Sequence, residues 1–287
     1  MNRLLLLIFQ YSIFIFAVRG QVFGLPAVRN LPQPSSLNHK VTENKLKSGS
    51  PTNVSSDKNS RASITVQVIN GDQKGSGVII RDKQKKLWIV TNRHVVAESL
   101  NVCVLFSDGN NLPGIVFRPR RAENDIAFIS FVQVNANTSY ADPDLLFDTE
   151  SVSLVLATGY AASTNTYLET SGVTIPILRG NILESGYSLT YSNQVEKGMS
   201  GGGIFSDDGR IIGINALHSD PLWIGDWYDS RGMKVKGSLG KKLDTVSVGI
   251  AIQTIFSELD RIEVKNIIKN VADDCPNKNM LNKSATK

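Results

Sequence analysis

Three residues in this chain could together turn an alcohol into a nucleophile: His94 in "IVTNRHVVAE", Asp125 in "AENDIAFI" and Ser200 in "KGMSGGGIF". A serine hydroxyl attacks poorly unless a base accepts its proton as it does so. An imidazole can be that base, and a carboxylate on its other ring nitrogen fixes the tautomer and stabilises the imidazolium. The glycines around Ser200 then have a role. A turn that aims the backbone N–H groups of Gly198 and Ser200 at one spot makes an oxyanion hole, and Gly201 and Gly202 allow close approach of neighbouring backbone. Taken singly, each residue has a plainer reading. His94 could be an ordinary surface histidine, Asp125 a turn residue or cap, and "GMSGGG" a glycine turn before a strand. The order His, Asp, Ser, with a "GSG" tripeptide at 75–77 ahead of the histidine, is what joins them. The other two histidines, His39 and His218, fall in a polar N-terminal stretch and a loop.

The elements that must hold these residues are short β-branched runs. They are ASITVQVI (62–69), GSGVIIR (75–81), KLWIVT (86–91), NVCVLF (101–106), IAFISFVQV (126–134), VSLVLATG (152–159), GVTIPIL (172–178), YSLTY (187–191), RIIGINAL (210–217) and VSVGIAI (246–252). Asn70-Gly71, Asp108-Gly109 and Asp208-Gly209 mark turns between them. Many short strands without intervening helices predict an all-β barrel or sandwich. A stretch of low hydrophobicity, NANTSYADPDLLFDTE (135–150), divides the runs into two sets. Two β-barrel halves, at about 61–135 and about 150–252, fit that division. One helix is expected at about 254–273, where Ile255, Leu259, Ile262, Ile268 and Val271 recur near helical spacing. The segment between Leu217 and Val246 reads as an insertion. Its Trp223, Trp227 and Tyr228 would form a satellite cluster or a platform for extended peptide.

The composition, 41% hydrophobic, suits a chain that buries a real core. The net charge of +5 resides in the first sixty residues. The remainder is balanced, and no nucleic-acid-binding motif occurs, so a nucleic-acid surface has no support. Met1, Asn2 and Arg3 precede LLLLIFQYSIFIFAV, which reads as an export signal over 1–20 with cleavage after Gly20. The alternative is an uncleaved anchor, but the run is short for a span and is broken by Gln10, Tyr11 and Ser12. Residues 21–60, rich in Pro, Ser, Asn and Lys, read as a disordered linker or propeptide. Residues 276–287 read as a tail. Cys103 and Cys275 could pair in an exported protein or remain two buried thiols. No metal-ligand spacing occurs, and no cofactor is expected.

The blocks GSGVII…IVTNRHVV, NDIAFI, GMSGGGIFSDDGRIIGIN and VGIAIQTI resemble, in order and spacing, those of the chymotrypsin-fold serine proteases, specifically the bacterial trypsin-like HtrA/Deg type, over most of residues 61–256. The resemblance implies an all-β fold of two six-stranded antiparallel β-barrels with a C-terminal helix, in a protease domain over 61–275. By the same resemblance His94 is the general base, Asp125 its orienting acid and Ser200 the nucleophile, with Gly198 and Ser200 supplying the oxyanion hole. The function implied is that of an exported serine endopeptidase, periplasmic or secreted, working through an acyl-enzyme on peptide or unfolded protein. No stable membrane span is expected after signal cleavage. A catalytically silent or latent peptide-binding protein of the same fold is the alternative.

The departures from the family pattern carry information. Met199 stands where the family has Asn or Asp, and no "IVGG"-like start occurs near residue 62, so activation by a trypsinogen-style salt bridge is not expected. Gly203 replaces a proline or alanine, and no PDZ domain is expected after the protease. By the family's geometry Gln194 lies at the base of the S1 pocket, and Asn215, Ala216 and Leu217 line its wall. An uncharged base lacks the counter-charge for Arg or Lys, so small or medium apolar P1 side chains are expected. His218 would favour an acidic P1 if it reached the pocket.

Overall fold

The computed structural model describes residues 58–119, 123–131, 138–217, 226–262 and 275. The expected export signal, most of the linker, the tail, His39, His218 and Trp223 lie outside these residues.

Helix α1 (Lys58–Ile64) leads into a closed six-stranded barrel. Its strands are β1 (Thr65–Asn70), β2 (Gln73–Arg81), β3 (Leu87–Thr91), β4 (Asn101–Leu105), β5 (Asn111–Phe117) and β6 (Ala127–Phe131), in the order β1-β2-β3-β6-β5-β4. The period-2 alternation of a strand explains why the stretches 78–80, 87–90 and 126–129 are apolar without a break, since both faces bury. Ile79, Ile89, Ala127 and Ile129 fill the barrel with Val66, Val68, Val102, Val104 and Val116. Their neighbours Val78, Ile80, Trp88, Val90 and Phe128 pack in a different cluster, against residues from the second half of the chain.

The second half forms a six-stranded sheet in the order β8-β7-β10-β11-β12-β9. Its strands are β7 (Leu154–Ala161), β8 (Thr166–Val173), β9 (Leu189–Tyr191), β10 (Gly203–Ser206), β11 (Ile211–Leu217) and β12 (Ser247–Ala251). The sheet curls until its outer strands approach each other. Thr174 bridges Tyr191, and the Ser192 N–H donates to the Val173 carbonyl at 2.9 Å. Val155, Ala157, Leu189, Tyr191, Met199, Ile204 and Ile212 fill the curl. Helix α4 (Ile252–Leu259) covers the cluster between the two halves with Ile252, Ile255, Phe256 and Leu259. It gives way to a turn at Asp260 and Arg261, and the rest of the expected helix lies beyond the described residues. Among the described residues, no helix is long and apolar enough to cross a membrane.

Several elements differ from the sequence reading. Strand β5 contains Pro113 and Gly114, which argue against a strand locally. Gly114 is required there, because a Cβ would lie 2.3 Å from Ile129 Cγ2 inside the barrel. Strand β8, TYLETSGV, is an edge strand with little apolar pattern, so it gave no signal. Helix α1 spans residues assigned to the linker and the first strand. Its Arg61 makes a bidentate, mostly buried pair with Glu169 of β8 at 2.9 and 3.0 Å, and this contact ties the helix down. In the insertion, Trp227 is a core residue whose indole N–H donates to Asp244 at 2.8 Å, and helix α3 (Ser238–Leu243) follows it.

Cys103 on β4 and Cys275 form a disulfide across 172 positions of sequence, with Cα atoms 5.5 Å apart. Closing so long a loop restricts the unfolded chain strongly. Replacing both cysteines with serine is expected to cost about 2–5 kcal/mol of stability. Guanidinium unfolding of the oxidised protein and the double variant checks this, and equal midpoints would refute it.

Candidate active site

Strand β3 ends at Thr91 and the chain turns into the short helix α2 (Arg93–Val96). Val95 and Val96 are buried in the first barrel, which fixes the helix and leaves the His94 ring half-exposed. Asn92, fully buried at the start of α2, donates from Nδ2 to the Asp125 backbone carbonyl at 3.1 Å. Asp125 precedes β6, and its own N–H donates to the Ser185 carbonyl at 2.9 Å. The carboxylate is therefore held between the two halves of the fold, 8% exposed.

His94 and Asp125 meet in a two-point contact. The His94 backbone N–H donates to Asp125 Oδ1 at 2.9 Å, and Nδ1 lies 2.7 Å from Oδ2. A buried carboxylate with only acceptor sites needs donors on each oxygen. Nδ1 therefore carries the proton, and Nε2 is left as an acceptor.

A third donor was not legible in the sequence. The Tyr187 hydroxyl donates to Asp125 Oδ2 at 3.0 Å from a buried position. Burial, and then the Asp125 charge, push its phenol well above the ordinary tyrosine value, so it remains a donor. Nothing in "YSLTY" distinguishes this tyrosine from a core aromatic. Tyr187→Phe keeps the ring and removes the hydroxyl, and with it the bond to Asp125. A hydrogen bond to a charged group is worth about 1.5–3 kcal/mol, so kcat should fall about tenfold or more with KM little changed. Steady-state kinetics test this, and an unaltered kcat would remove Tyr187 from the site.

Ser200 sits on a turn between β9 and β10 whose backbone is fixed at several points. The Lys197 carbonyl accepts from Ala162 N–H at 2.8 Å, and the Gly198 carbonyl accepts from the Ser76 hydroxyl at 2.8 Å. The Met199 carbonyl accepts from Gly202 N–H at 2.9 Å and from Asn215 Nδ2 at 3.3 Å. The peptides here are trans, so each N–H points opposite to the carbonyl of its own peptide unit. The Gly198 N–H is thus turned away from Ala162, and the Ser200 N–H away from Gly202. Neither N–H has an acceptor among the described residues. Gly198 has φ +98°, and a Cβ there would lie 2.6 Å from both Ala162 N and Tyr160 O, so only glycine fits. Met199 is wholly buried in the core of the second sheet, where its side chain replaces the polar residue of the family pattern with apolar packing.

The Ser200 hydroxyl donates to the Ala216 carbonyl at 3.2 Å, and no hydrogen bond joins it to His94 in this structure. That carbonyl is available because β11 and β12 shift register between Asn215 and Leu217, which leaves Ala216 at a bulge. Of the residues expected to contact substrate, Ala216 is thus beside the nucleophile. Leu217 is half-buried at the end of β11, and Gln194 is exposed on the segment leading to the turn. Asn215 lies elsewhere. It is fully buried, accepts from the Tyr191 hydroxyl at 2.8 Å and donates to the Thr158 carbonyl at 2.8 Å. Its side chain supports the nucleophile turn from behind and offers no surface to a substrate.

Residues 75–214 match the family model described as a trypsin-like peptidase domain. No curated protein matches the sequence. Among solved structures the chain is similar to the serine endoprotease from Yersinia pestis, with a TM-score of 0.53 and 20% identity over 74% of this chain and 67% of that one. It is also similar to the Rv3671c protease in its inactive form, with a TM-score of 0.51 and 17% identity over 72% of this chain and 92% of that one. At these identities the structural likeness speaks to the fold.

Proposed function

From the premise that this chain is a trypsin-like serine peptidase of the chymotrypsin fold, we propose that it is an exported endopeptidase in which His94, Asp125 and Ser200 cleave peptide bonds through an acyl-enzyme. The observation that carries the reading is the pair of contacts from Asp125 to the His94 backbone N–H and Nδ1, at 2.9 and 2.7 Å, which leaves Nε2 as the base.

The chemistry follows from these groups. A bound peptide offers a backbone N–H to the Ala216 carbonyl and displaces the Ser200 hydroxyl, which swings to Nε2. Catalytic hydrogen bonds often form only in the substrate complex. As Oγ attacks the scissile carbon, Nε2 takes its proton, and Asp125 stabilises the resulting imidazolium. The carbonyl oxygen becomes an oxyanion and accepts from the Gly198 and Ser200 N–H groups. Collapse expels the amine, which receives the proton from His94. Water then enters by the same route in reverse, losing its proton to Nε2 as it attacks the ester, and Ser200 is regenerated.

A catalytically silent binder would be favoured by a Gly198 carbonyl turned into the hole, whereas this carbonyl accepts from Ser76. Export is supported by the apolar N-terminal run and by the disulfide, a bond that persists in oxidising compartments. Substrates are peptides or unfolded proteins, with a small or medium apolar P1 residue above an uncharged Gln194. Incubation of the mature protein with a fluorophosphonate probe and then with a peptide library tests the proposal. Labelling of Ser200 together with internal cleavage is expected. A folded protein that does neither would overturn it.

A further inference from the structure

The tripeptide Gly75-Ser76-Gly77 lies in β2, where alternate residues face opposite sides. A Cβ on Gly75 would lie 2.5 Å from Val95 Cγ1, and one on Gly77 2.5 Å from Ile89 Cγ2, so both glycines face the packed interior of the first barrel. Ser76 faces the other way, towards the second sheet, and is fully buried. Every polar group it has is engaged at the nucleophile turn or beside it. Its N–H donates to the Ser200 carbonyl at 2.8 Å, and its carbonyl accepts from the Thr91 hydroxyl at 2.6 Å. Its hydroxyl donates to the Gly198 carbonyl at 2.8 Å and accepts from the Tyr160 N–H at 2.7 Å.

We propose that the Ser76 hydroxyl is a positioning residue for the oxyanion hole: it holds the Gly198 carbonyl from the opposite barrel and so fixes ψ of the residue whose N–H is one of the hole's donors. The proposal rests on the active-site reading above. The two peptide planes flanking the Gly198 Cα define its φ and ψ. Ala162 anchors the first plane, which carries the Gly198 N–H, and Ser76 anchors the second together with the Glu196 carbonyl, which accepts from the Met199 N–H at 3.0 Å. Without the hydroxyl, a buried carbonyl loses its donor and the Tyr160 N–H loses its acceptor. The least costly relief is a change in φ and ψ at Gly198, which glycine permits more readily than any other residue. With ψ no longer fixed by Ser76, φ can follow, and a change in φ turns the Gly198 N–H, which lies in the Lys197–Gly198 peptide, away from the position an oxyanion takes. The effect would fall on the transition state and spare ground-state binding, because the oxyanion exists only after attack.

The test compares wild type, Ser76→Ala and Ser76→Thr. Deleting an oxyanion donor outright lowers kcat about 100- to 1,000-fold, so misdirecting one should lower it about 10- to 100-fold. For Ser76→Ala we expect that loss in kcat, a KM within about twofold of wild type, and a peptidyl-boronate affinity that falls in step with kcat/KM. Ser76→Thr restores the hydroxyl and should recover most of the activity. A Ser76→Ala enzyme with wild-type kcat would overturn the proposal. So would one whose KM rises while kcat holds, or alanine and threonine variants that are equally impaired. Should the alanine variant not fold, Ser76→Cys, with its weaker donor, takes its place, and an undiminished kcat there counts against the proposal. Wild-type protein that never labels with a fluorophosphonate refutes the underlying active site instead, so the two failures are distinct.

Discussion

Replacing Ser200 with alanine is expected to lower kcat by about a million-fold and to abolish fluorophosphonate labelling, with the fold intact. The structure explains both halves of this expectation. The hydroxyl makes one internal contact, the 3.2 Å bond to the Ala216 carbonyl. Its loss should cost about 1 kcal/mol of stability or less. The backbone of residue 200 stays pinned, since its carbonyl accepts from Ser76 N–H at 2.8 Å irrespective of side chain. The donors at Gly198 and residue 200 therefore persist, and with them a residual acceleration of about 1,000- to 10,000-fold over water. Activity-based labelling and single-turnover kinetics read the loss, and a thermal melt reads the fold. A variant that retained more than about one per cent of wild-type turnover would move the nucleophile elsewhere.

Asp125→Asn should lower kcat about 10,000-fold without removing any side-chain volume. The argument turns on which atoms face which donors. Asp125 Oδ1 accepts from the His94 backbone N–H, and Oδ2 accepts from His94 Nδ1 and the Tyr187 hydroxyl. The backbone N–H cannot change its character, so an asparagine places its carbonyl oxygen there. Its NH2 then faces Nδ1, which must become an acceptor. The ring proton moves to Nε2, the nitrogen that has to receive the Ser200 proton, and general-base catalysis stops. The reverse orientation sets the NH2 against the backbone N–H and forfeits that bond. NMR of the ring nitrogens would show the tautomer exchange, and kinetics would show the loss. An Asp125→Asn enzyme within tenfold of wild type would mean that Asp125 does not orient His94.

The residues proposed to carry the chemistry could be singled out because each stands in a local pattern. His94 follows a strand of apolar residues, Asp125 opens another, and Ser200 sits in a glycine cluster that a turn alone would not need. Strands β2, β3 and β6 of the first barrel were legible because both their faces bury, giving unbroken apolar runs such as Val78–Ile80. Strand β5 was hidden by Pro113 and Gly114, whose suitability depends on Ile129 opposite, and edge strand β8 was hidden by its polarity. Asn215, Tyr187 and Ser76 follow the same logic. A buried polar side chain takes its role from the partner it finds, and each of these finds it far away in sequence, at Thr158, Asp125 and Gly198 respectively.

The sequence by itself thus determined the residue types, their order and the strand-rich halves that carry them, because strand periodicity and turn chemistry act over a few residues. Only the tertiary structure decided that Cys103 meets Cys275, that Tyr187 is a third donor to Asp125, and that the Ser200 hydroxyl donates to the Ala216 carbonyl. Those are pairings between distant segments. Hydrogen bonding and disulfide formation depend on atoms coming within a few ångströms, and that proximity is created by the packing of the two sheets, which no local pattern records.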